Sequence, residues 1–372
     1  MARKLSLTTH LRRKLGGISY VIRREWFLST LIVMYLVLTI LDRGYPRKSL
    51  HLVDWESLAL ITALIITSKG LELSGIFTRL AIKLIALSRG SERKLVMILL
   101  PIIAFSSALI MNDTAILIFT PLVVVTGRIA GINVPRAVAL SAIAANVGSS
   151  LTPIGNPQNV IIWKHYSLSF LGFIKGMLPY VFLWLVILFL FSLMVKDKRI
   201  EVKVPPVEVN VKLFLLSSFL LVFNVVMGRV DLARCSLLLT VLVYLIFKRD
   251  VLLSFDVALV PTFALIFANF SELSSMINIG KLTSAGAFLY SLILSQIISN
   301  VPATVVMLPW TKNWLYLSLG VNLGGTGSMV GSLANLIAIR LSGISVKEFH
   351  KYSLAYLLVA LLLTLFLLGI RT

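Results

Sequence analysis

Two stretches of this chain resemble each other and decide its fold. Residues 146–159 read NVGSSLTPIGNPQN, and residues 322–335 read NLGGTGSMVGSLAN. Each lies inside an uncharged run of 27 residues, 137–163 and 313–339, so a centre rich in Gly, Ser, Thr and Asn interrupts an apolar segment. The Asn and Gly positions in register are Asn146/Asn322, Gly148/Gly324, Gly155/Gly331 and Asn159/Asn335.

A second match lies upstream of each block. Residues 107–121 read SALIMNDTAILIFTP, and residues 295–309 read SQIISNVPATVVMLP, with Asn112 aligned on Asn300. Shared Leu, Ile and Ala mean little in apolar sequence, but shared Asn, Gly and Pro are informative. The two matches together indicate an internal duplication, and interrupted apolar segments in corresponding halves point to a transporter binding site.

The composition places these segments in a membrane. Of 372 residues, 58% are apolar and 13% are charged, whereas soluble domains have about 45–50% and about 25%. An ordinary soluble protein and a disordered one are both excluded. A single cysteine excludes a disulfide framework. We predict an all-α, multi-pass protein of the plasma membrane.

The polar interruptions predict that some segments do not cross as simple helices. We expect re-entrant hairpins at 93–127 and 281–311, with tips at Asn112 and Asn300, since non-helical backbone at membrane depth must be buried in protein. We expect broken transmembrane helices at 135–163 and 312–340. Five crossings separate the two tips, and an odd number places the hairpins on opposite sides, which predicts an inverted-topology repeat.

The charge distribution sets the predicted orientation. With the N-terminus inside, 25 of the 35 Lys and Arg fall in cytoplasmic segments, as the positive-inside rule requires. We therefore predict about nine full spans, with the N-terminus inside and the C-terminus outside. The same distribution argues against a nucleic-acid partner, because the basic residues flank spans.

The predicted organisation has four parts. A basic cytoplasmic segment, 1–25, precedes the first repeat, 26–195. A cytoplasmic linker, 196–212, joins it to the second repeat, 213–370.

The hairpin tips and helix breaks are the predicted substrate and ion site. Half-helix N-termini suit anions, and half-helix C-termini with unwound carbonyls suit cations. The side chains offered there are neutral donors and acceptors, and Na⁺ at the tips Asn112 and Asn300 is one option. The candidate binding residues are Asn112, Asp113, Thr114, Asn146, Ser149, Ser150, Thr152, Gly155, Asn156, Asn300, Thr304, Asn322, Gly324, Thr326, Ser328 and Ser332.

Asp113 is the candidate coupling residue. It is the one acid between residues 95 and 127, and its counterpart in the second half is Val301. Ionisable groups within a membrane are costly and usually functional, so a proton or cation carrier is one interpretation. A cap for the N-terminus of the second hairpin arm is the other.

At these motifs the chain resembles the ion transporter superfamily. This superfamily includes arsenite/antimonite permeases, divalent-anion/Na⁺ symporters, citrate carriers and one type of Na⁺/H⁺ antiporter. The Asn112-Asp113-x-Ala115 tip is most similar to the arsenite permease branch, and the run 155–159 (GNPQN) is similar to "anion permease" members. The divalent-anion symporters carry Ser-Asn-Thr at both tips, so their Na⁺ sites do not transfer whole to this chain.

The resemblance implies a scaffold and a mobile transport domain that moves like an elevator, often within a homodimer. It implies that the two tips and two breaks hold substrate and coupling ion. For an arsenite permease-like protein it implies a partner ATPase subunit.

The function expected from these observations is secondary active transport of a small oxyanion or metalloid, such as arsenite or antimonite, coupled to H⁺ or Na⁺. A Na⁺-coupled di- or tricarboxylate or inorganic-anion symporter, a Na⁺/H⁺ antiporter and a passive channel remain alternatives. We predict no enzymatic activity, because the broken runs contain no second acid, His or Lys for catalysis. No cofactor is expected beyond the coupling ion.

Overall fold

The computed structural model describes residues 26–76, 78–79, 91–130, 132–195, 208–277 and 280–369. The predicted basic segment 1–25 lies outside the described residues, as does most of the predicted linker 196–212. The all-α prediction is confirmed over the described ranges, where the secondary structure is helical.

The helices of the first half run from Trp26 to Leu193. In chain order they are α1 (Trp26–Leu41), α2 (Tyr45–Leu52), α3 (Trp55–Leu73), α4 (Glu92–Ile110), α5 (Asn112–Ala130), α6 (Val134–Ser149), α7 (Pro157–His165) and α8 (Phe170–Leu193).

The helices of the second half run from Val211 to Gly369. They are α9 (Val211–Arg229), α10 (Ala233–Phe247), α11 (Arg249–Leu253), α12 (Leu259–Met276), α13 (Ser284–Ile298), α14 (Asn300–Met307), a 3₁₀ turn (Leu308–Trp310), α15 (Trp314–Gly324), α16 (Leu333–Ser342) and α17 (Val346–Gly369).

Five helices of the described chain are long and apolar enough to cross a membrane alone, or six if α2 and α3 form one span. These five are α4, α8, α9, α12 and α17. Their outer surfaces carry large exposed apolar side chains, such as Phe182, Phe219 and Phe366. An apolar exterior of this extent marks a surface that faces lipid.

The described residues form two compact units. The smaller comprises those within 1–54 and 256–277. Its centre is Asn269, whose amide accepts from the Tyr45 hydroxyl at 2.6 Å and donates to the Leu31 carbonyl at 2.8 Å. Lys48 pairs with buried Glu272 at 2.8 Å and with Asp42 at 2.6 Å, and this ammonium lowers the pKa of Asp42.

The larger unit comprises the described residues within 55–255 and 278–372. It contains every candidate site residue. On one side, α3, α9 and α10 pack together around the hydrogen bond from the Tyr244 hydroxyl to the Ser217 hydroxyl. On another, α8 and α17 are joined by Trp184, whose indole N–H donates to Thr364 at 2.9 Å.

The predicted interruptions coincide with helix ends. One helix ends at Ile110 and the next begins at Asn112, and the same occurs at Ile298 and Asn300. We call Met111–Asp113 the first tip and Ser299–Val301 the second tip. Residues 150–156, the first break, separate α6 from α7, and residues 325–332, the second break, separate α15 from α16.

Close backbone contact between α4 and α6 requires Gly148. A Cβ added at this position would lie 2.0 Å from the Ala104 carbonyl oxygen, which is backbone and cannot rotate away. The first hairpin arm therefore rests directly on the last turn of the helix that precedes the first break.

We expect Gly148→Ala to destabilise the protein, because the overpacked contact can be relieved only by moving a helix, at about 1–3 kcal/mol or more. Thermal unfolding of the detergent-purified protein checks this. Gly369→Ala is the control, since nothing lies within 4 Å of a Cβ at that position. Equal midpoints for the two variants would contradict the close contact.

Candidate functional site

The two tips share a strained backbone. Met111 has φ 65° and ψ 145°, and the matched residue Ser299 has φ 76° and ψ 156°. Non-glycine residues in this region cost about 1–3 kcal/mol each and persist where the surrounding structure holds them. The duplication thus extends to a backbone conformation that sequence comparison does not reveal.

Each tip is tied to the break of its own half. The Asn112 N–H donates to the Gly155 carbonyl at 2.9 Å, and the Asn300 N–H donates to the matched Gly331 carbonyl at 3.0 Å. In both halves, an N–H group at a helix N-terminus is therefore paired with a carbonyl of the unwound backbone in the break.

A second tie is also repeated. The Thr152 hydroxyl donates to the Ala108 carbonyl at 2.6 Å, and the Ser328 hydroxyl donates to the Gln296 carbonyl at 3.1 Å. Each hydroxyl fixes the break against the first arm of the hairpin.

Four asparagines join the two halves. The Asn146 amide donates to Asn335 Oδ1 at 2.8 Å, and the Asn322 amide donates to Asn159 Oδ1 at 2.7 Å. Each donor comes from the helix before one break, and each acceptor comes from the helix after the other break. Reciprocal pairs of this kind are what a two-fold relation produces.

The acceptor asparagines also hold the breaks in shape. The Asn159 amide donates to the Ser149 and Thr152 carbonyls at 3.2 and 2.9 Å. The matched Asn335 amide donates to the Gly325 and Ser328 carbonyls at 2.9 and 2.8 Å. Carbonyls released by the broken helices are thereby satisfied inside the protein.

The network differs between halves around its donor asparagines. Asn146 Oδ1 accepts from the Asn112 amide at 3.0 Å. Asn322 Oδ1 instead accepts from Asn156 at 2.9 Å and from Gln158 at 3.3 Å.

A second difference lies at the first arm of each hairpin. Gln296 fills the space beside the second break, where its amide donates to the Gly324 carbonyl and its Oε1 accepts from the Ser328 N–H at 2.7 Å. Its counterpart in the first half is Ala108. Ala108, Gly148 and Leu151 line an apolar cavity of about 220 Å³ there.

Asp113 lies half-buried in the first turn of α5. Its N–H donates to Asn112 Oδ1 at 3.0 Å. Among the residues that the structure describes, no cationic side chain pairs with its carboxylate.

The structure brings the predicted residues together at the tips and breaks. Many of their hydroxyls, however, bond backbone carbonyls three or four residues earlier in the chain. Ser149 and Ser150 donate to the Asn146 carbonyl, Thr326 to the Leu323 carbonyl, and Thr304 to the Asn300 carbonyl. Such local bonds satisfy the helix ends.

The remaining candidates fill structural places. Asn156 and Ser332 cap α7 and α16 by accepting from the N–H groups of Asn159 and Ala334. Thr114 is buried, and Gly324 packs against Ser295.

Sequence reasoning left Gln158, Asn159, Gln296 and Asn335 out of the candidate site. The pair Asn159/Asn335 carried a signal, since these residues are in register and keep an asparagine in a short polar block. Gln158 and Gln296 carried no such signal, because each is aligned with an alanine in the repeat of the other half.

Sequence comparison identifies the family of this chain and several relatives. The family model described as citrate transporter matches residues 19–316. The chain belongs to the citrate transporter family. Inner membrane protein YbiR of Escherichia coli (strain K12) is 33% identical over 90% of this chain and 93% of its own length.

Two further relatives differ in how much they cover. An uncharacterized transporter of Methanocaldococcus jannaschii is 30% identical over 85% of this chain and 88% of its own length. A silicon efflux transporter of Oryza sativa subsp. japonica is 36% identical over 34% of this chain and 26% of its own length. The family and these names identify a membrane transporter, not an enzyme.

We expect Asn322→Asp to unfold the site. A carboxylate cannot donate to Asn159 Oδ1 or to the Ser318 carbonyl, which Asn322 now satisfies, and a buried unpaired charge costs about 3–5 kcal/mol. Thermal unfolding should show a clear loss of stability. Asn210→Asp is the matched control, because the described bond of the Asn210 side chain is one that it accepts, from the Leu213 N–H at the start of α9, and a carboxylate can accept it equally. A stable Asn322→Asp would contradict the assigned amide orientations.

Proposed function

We propose that this family member is a secondary active transporter for a small metalloid acid or oxyanion of the arsenite/antimonite type, coupled to H⁺ or Na⁺. The observation that carries the proposal is the amide network that joins the two halves. Its side chains are neutral hydrogen-bonding groups, and no Lys, Arg or His of the described chain donates to them.

The chemistry of the network favours an uncharged, hydroxyl-rich solute. Amides both donate and accept, so they match the O–H groups of such an acid. A fully ionised polycarboxylate needs positive charge in its site, and here the helix N-termini are the main source of it. Arsenic and silicon both form uncharged hydroxylated acids in water, and one partial relative is named for silicon efflux.

Citrate is the second candidate substrate because the family description names it. The N-termini of α5, α7, α14 and α16 lie at the tips and breaks, and N-termini attract carboxylates. With Na⁺ at the tips beside Asn112 and Asn300, this arrangement would accommodate a carboxylate. The transport assay below separates the two substrates.

Asp113 is the proposed coupling residue. Proton entry would drive efflux of the metalloid by protonating this carboxylate on one side of the membrane and releasing the proton on the other. A Na⁺/H⁺ antiporter on the same scaffold would use the same acid and would exchange its ions without an anion.

Alternating access is proposed to follow the elevator mode, in a plasma-membrane protein with its N-terminus inside and C-terminus outside. The repeated ties from tip to break support an inverted repeat, because they would move each hairpin with its own broken helix. A homodimer would supply the fixed scaffold, and a partner ATPase subunit would belong to the arsenite permease mode.

The test is uptake of arsenite into proteoliposomes whose interior is more acidic than the medium. We expect the gradient to drive uptake by the wild-type protein, and Asp113→Asn to abolish the response because the amide cannot carry a proton. Asp250→Asn is the matched control, as its exposed carboxylate pairs with Lys248.

Two parallel measurements identify the rivals. Citrate uptake that needs a Na⁺ gradient, with no arsenite flux, would replace the metalloid assignment by a carboxylate symporter. Na⁺/H⁺ exchange in the absence of any anion would replace both. Gradient-driven arsenite uptake that survives in Asp113→Asn would remove the coupling role of Asp113.

A further inference from the structure

Two buried polar atoms at the asparagine network have no hydrogen-bond partner among the described residues. They are Gln158 Oε1 and Ser318 Oγ. Gln158 is 2% exposed and Ser318 is fully buried. A buried acceptor left without a donor loses its hydration without compensation, so an unused group here calls for a functional explanation.

The orientation of the Gln158 amide follows from its neighbours. The Asn159 amide donates to backbone carbonyls, so its Oδ1 faces Asn322. The Asn322 nitrogen is then the donor to Asn159, and its oxygen must accept from Gln158 Nε2. Rotating the Gln158 amide would place two oxygens against each other, which leaves Oε1 as the free acceptor.

The two atoms mark where the repeat is broken. The counterpart of Gln158 in the second half is Ala334, and the counterpart of Ser318 in the first half is Ala142. Both residues adjoin Asn322: the Gln158 side chain donates to it, and Ser318 lies one turn earlier on the same face of α15, where its backbone carbonyl accepts from Asn322 at 2.8 Å. The fold of the other half does without these polar groups, so the architecture itself does not require them.

We propose that Gln158 Oε1 is the acceptor for a hydroxyl group of the transported solute, with Ser318 Oγ as a second polar contact beside Asn322. The inference rests on the proposed transport function and narrows its substrate class. A free acceptor selects a solute that brings an O–H donor, such as an uncharged hydroxylated acid. It disfavours an anion that presents only acceptor oxygens.

The neighbouring amides support this selectivity. Asn156 and Asn159 direct their oxygens to partners within the protein, the N–H of Asn159 and the amide of Asn322. Gln158 therefore adds the one acceptor of this trio that the protein leaves unused. The resulting site has an acceptor at Gln158 and a hydroxyl, able to donate or accept, at Ser318.

Arsenite uptake by site variants tests the proposal. We expect Gln158→Ala, which copies the second half, to fold normally and to raise KM for arsenite about tenfold, the loss of one buried hydrogen bond. Gln158→Met keeps the length of the side chain but has no carbonyl acceptor, so it should raise KM for arsenite to the same extent as Gln158→Ala. Ser318→Ala should raise KM more weakly.

Ser353→Ala is the matched control for Ser318→Ala. Ser353 lies in α17, and like Ser318 it is a buried serine whose hydroxyl has no partner among the described residues. Its KM should equal that of the wild type. Asn269→Ala controls for loss of a buried amide that is fully bonded outside the site, and should lower thermal stability without the same change in KM.

The following outcomes would overturn the contact at Gln158 or the transport function on which it rests. Unchanged arsenite KM in Gln158→Ala would remove the contact while leaving the transport function intact. A higher Na⁺ requirement with unchanged arsenite KM would assign Oε1 to a cation. A wild-type arsenite KM in Gln158→Met would exclude a contact with the Oε1 carbonyl. Wild-type protein that carries citrate and no arsenite would refute the metalloid function. The contact at Gln158 has its own test in that case, thermal-shift titration with boric and silicic acids, and unchanged binding of these acids by Gln158→Ala would refute it.

Discussion

A helix that breaks inside a bilayer releases backbone groups that lipid cannot satisfy. The rest of the site follows from this constraint. Asn159 and Asn335 take up carbonyls of the breaks, and the N–H groups of Asn112 and Asn300 take up two more. Amide side chains suit this site because one group both donates and accepts. A single residue can therefore donate to a backbone carbonyl of the break and still bond a residue of the opposite half.

Some residues of this network are repeated in both halves, and others occur in one half only. The bonds that hold the breaks in shape occur in both halves, at matched residues and similar distances. Two buried atoms beside Asn322 have no partner among the described residues, Gln158 Oε1 and Ser318 Oγ, and each occurs in one half only, as does Asp113. Repeated residues thus build the scaffold of the site, and the proposed roles in selection and coupling fall on residues that are not repeated.

Sequence reasoning reached the helical class and the positions of the interruptions, because glycine- and asparagine-rich centres stand out inside apolar runs. It did not reach the crossed pairing, since a constant offset shows which residues are equivalent but not which ones touch. Hydroxyl direction was also beyond it: Ser150 and Thr326 turn to carbonyls of their own helices, and composition cannot separate that from contact with a solute. The strained φ at Met111 and Ser299 belongs to residue types that give no warning of it.

The crossed asparagine pairs also bear on how the chain is made. Asn146 is 189 residues ahead of its partner, and Asn159 is 163 residues ahead of its own. Contacts of such long sequence separation form late. During synthesis Asn146 and Asn159 therefore have only their partners within the first half until the second half has been made. The crossed pairs can close only after the helices of both halves have been synthesised.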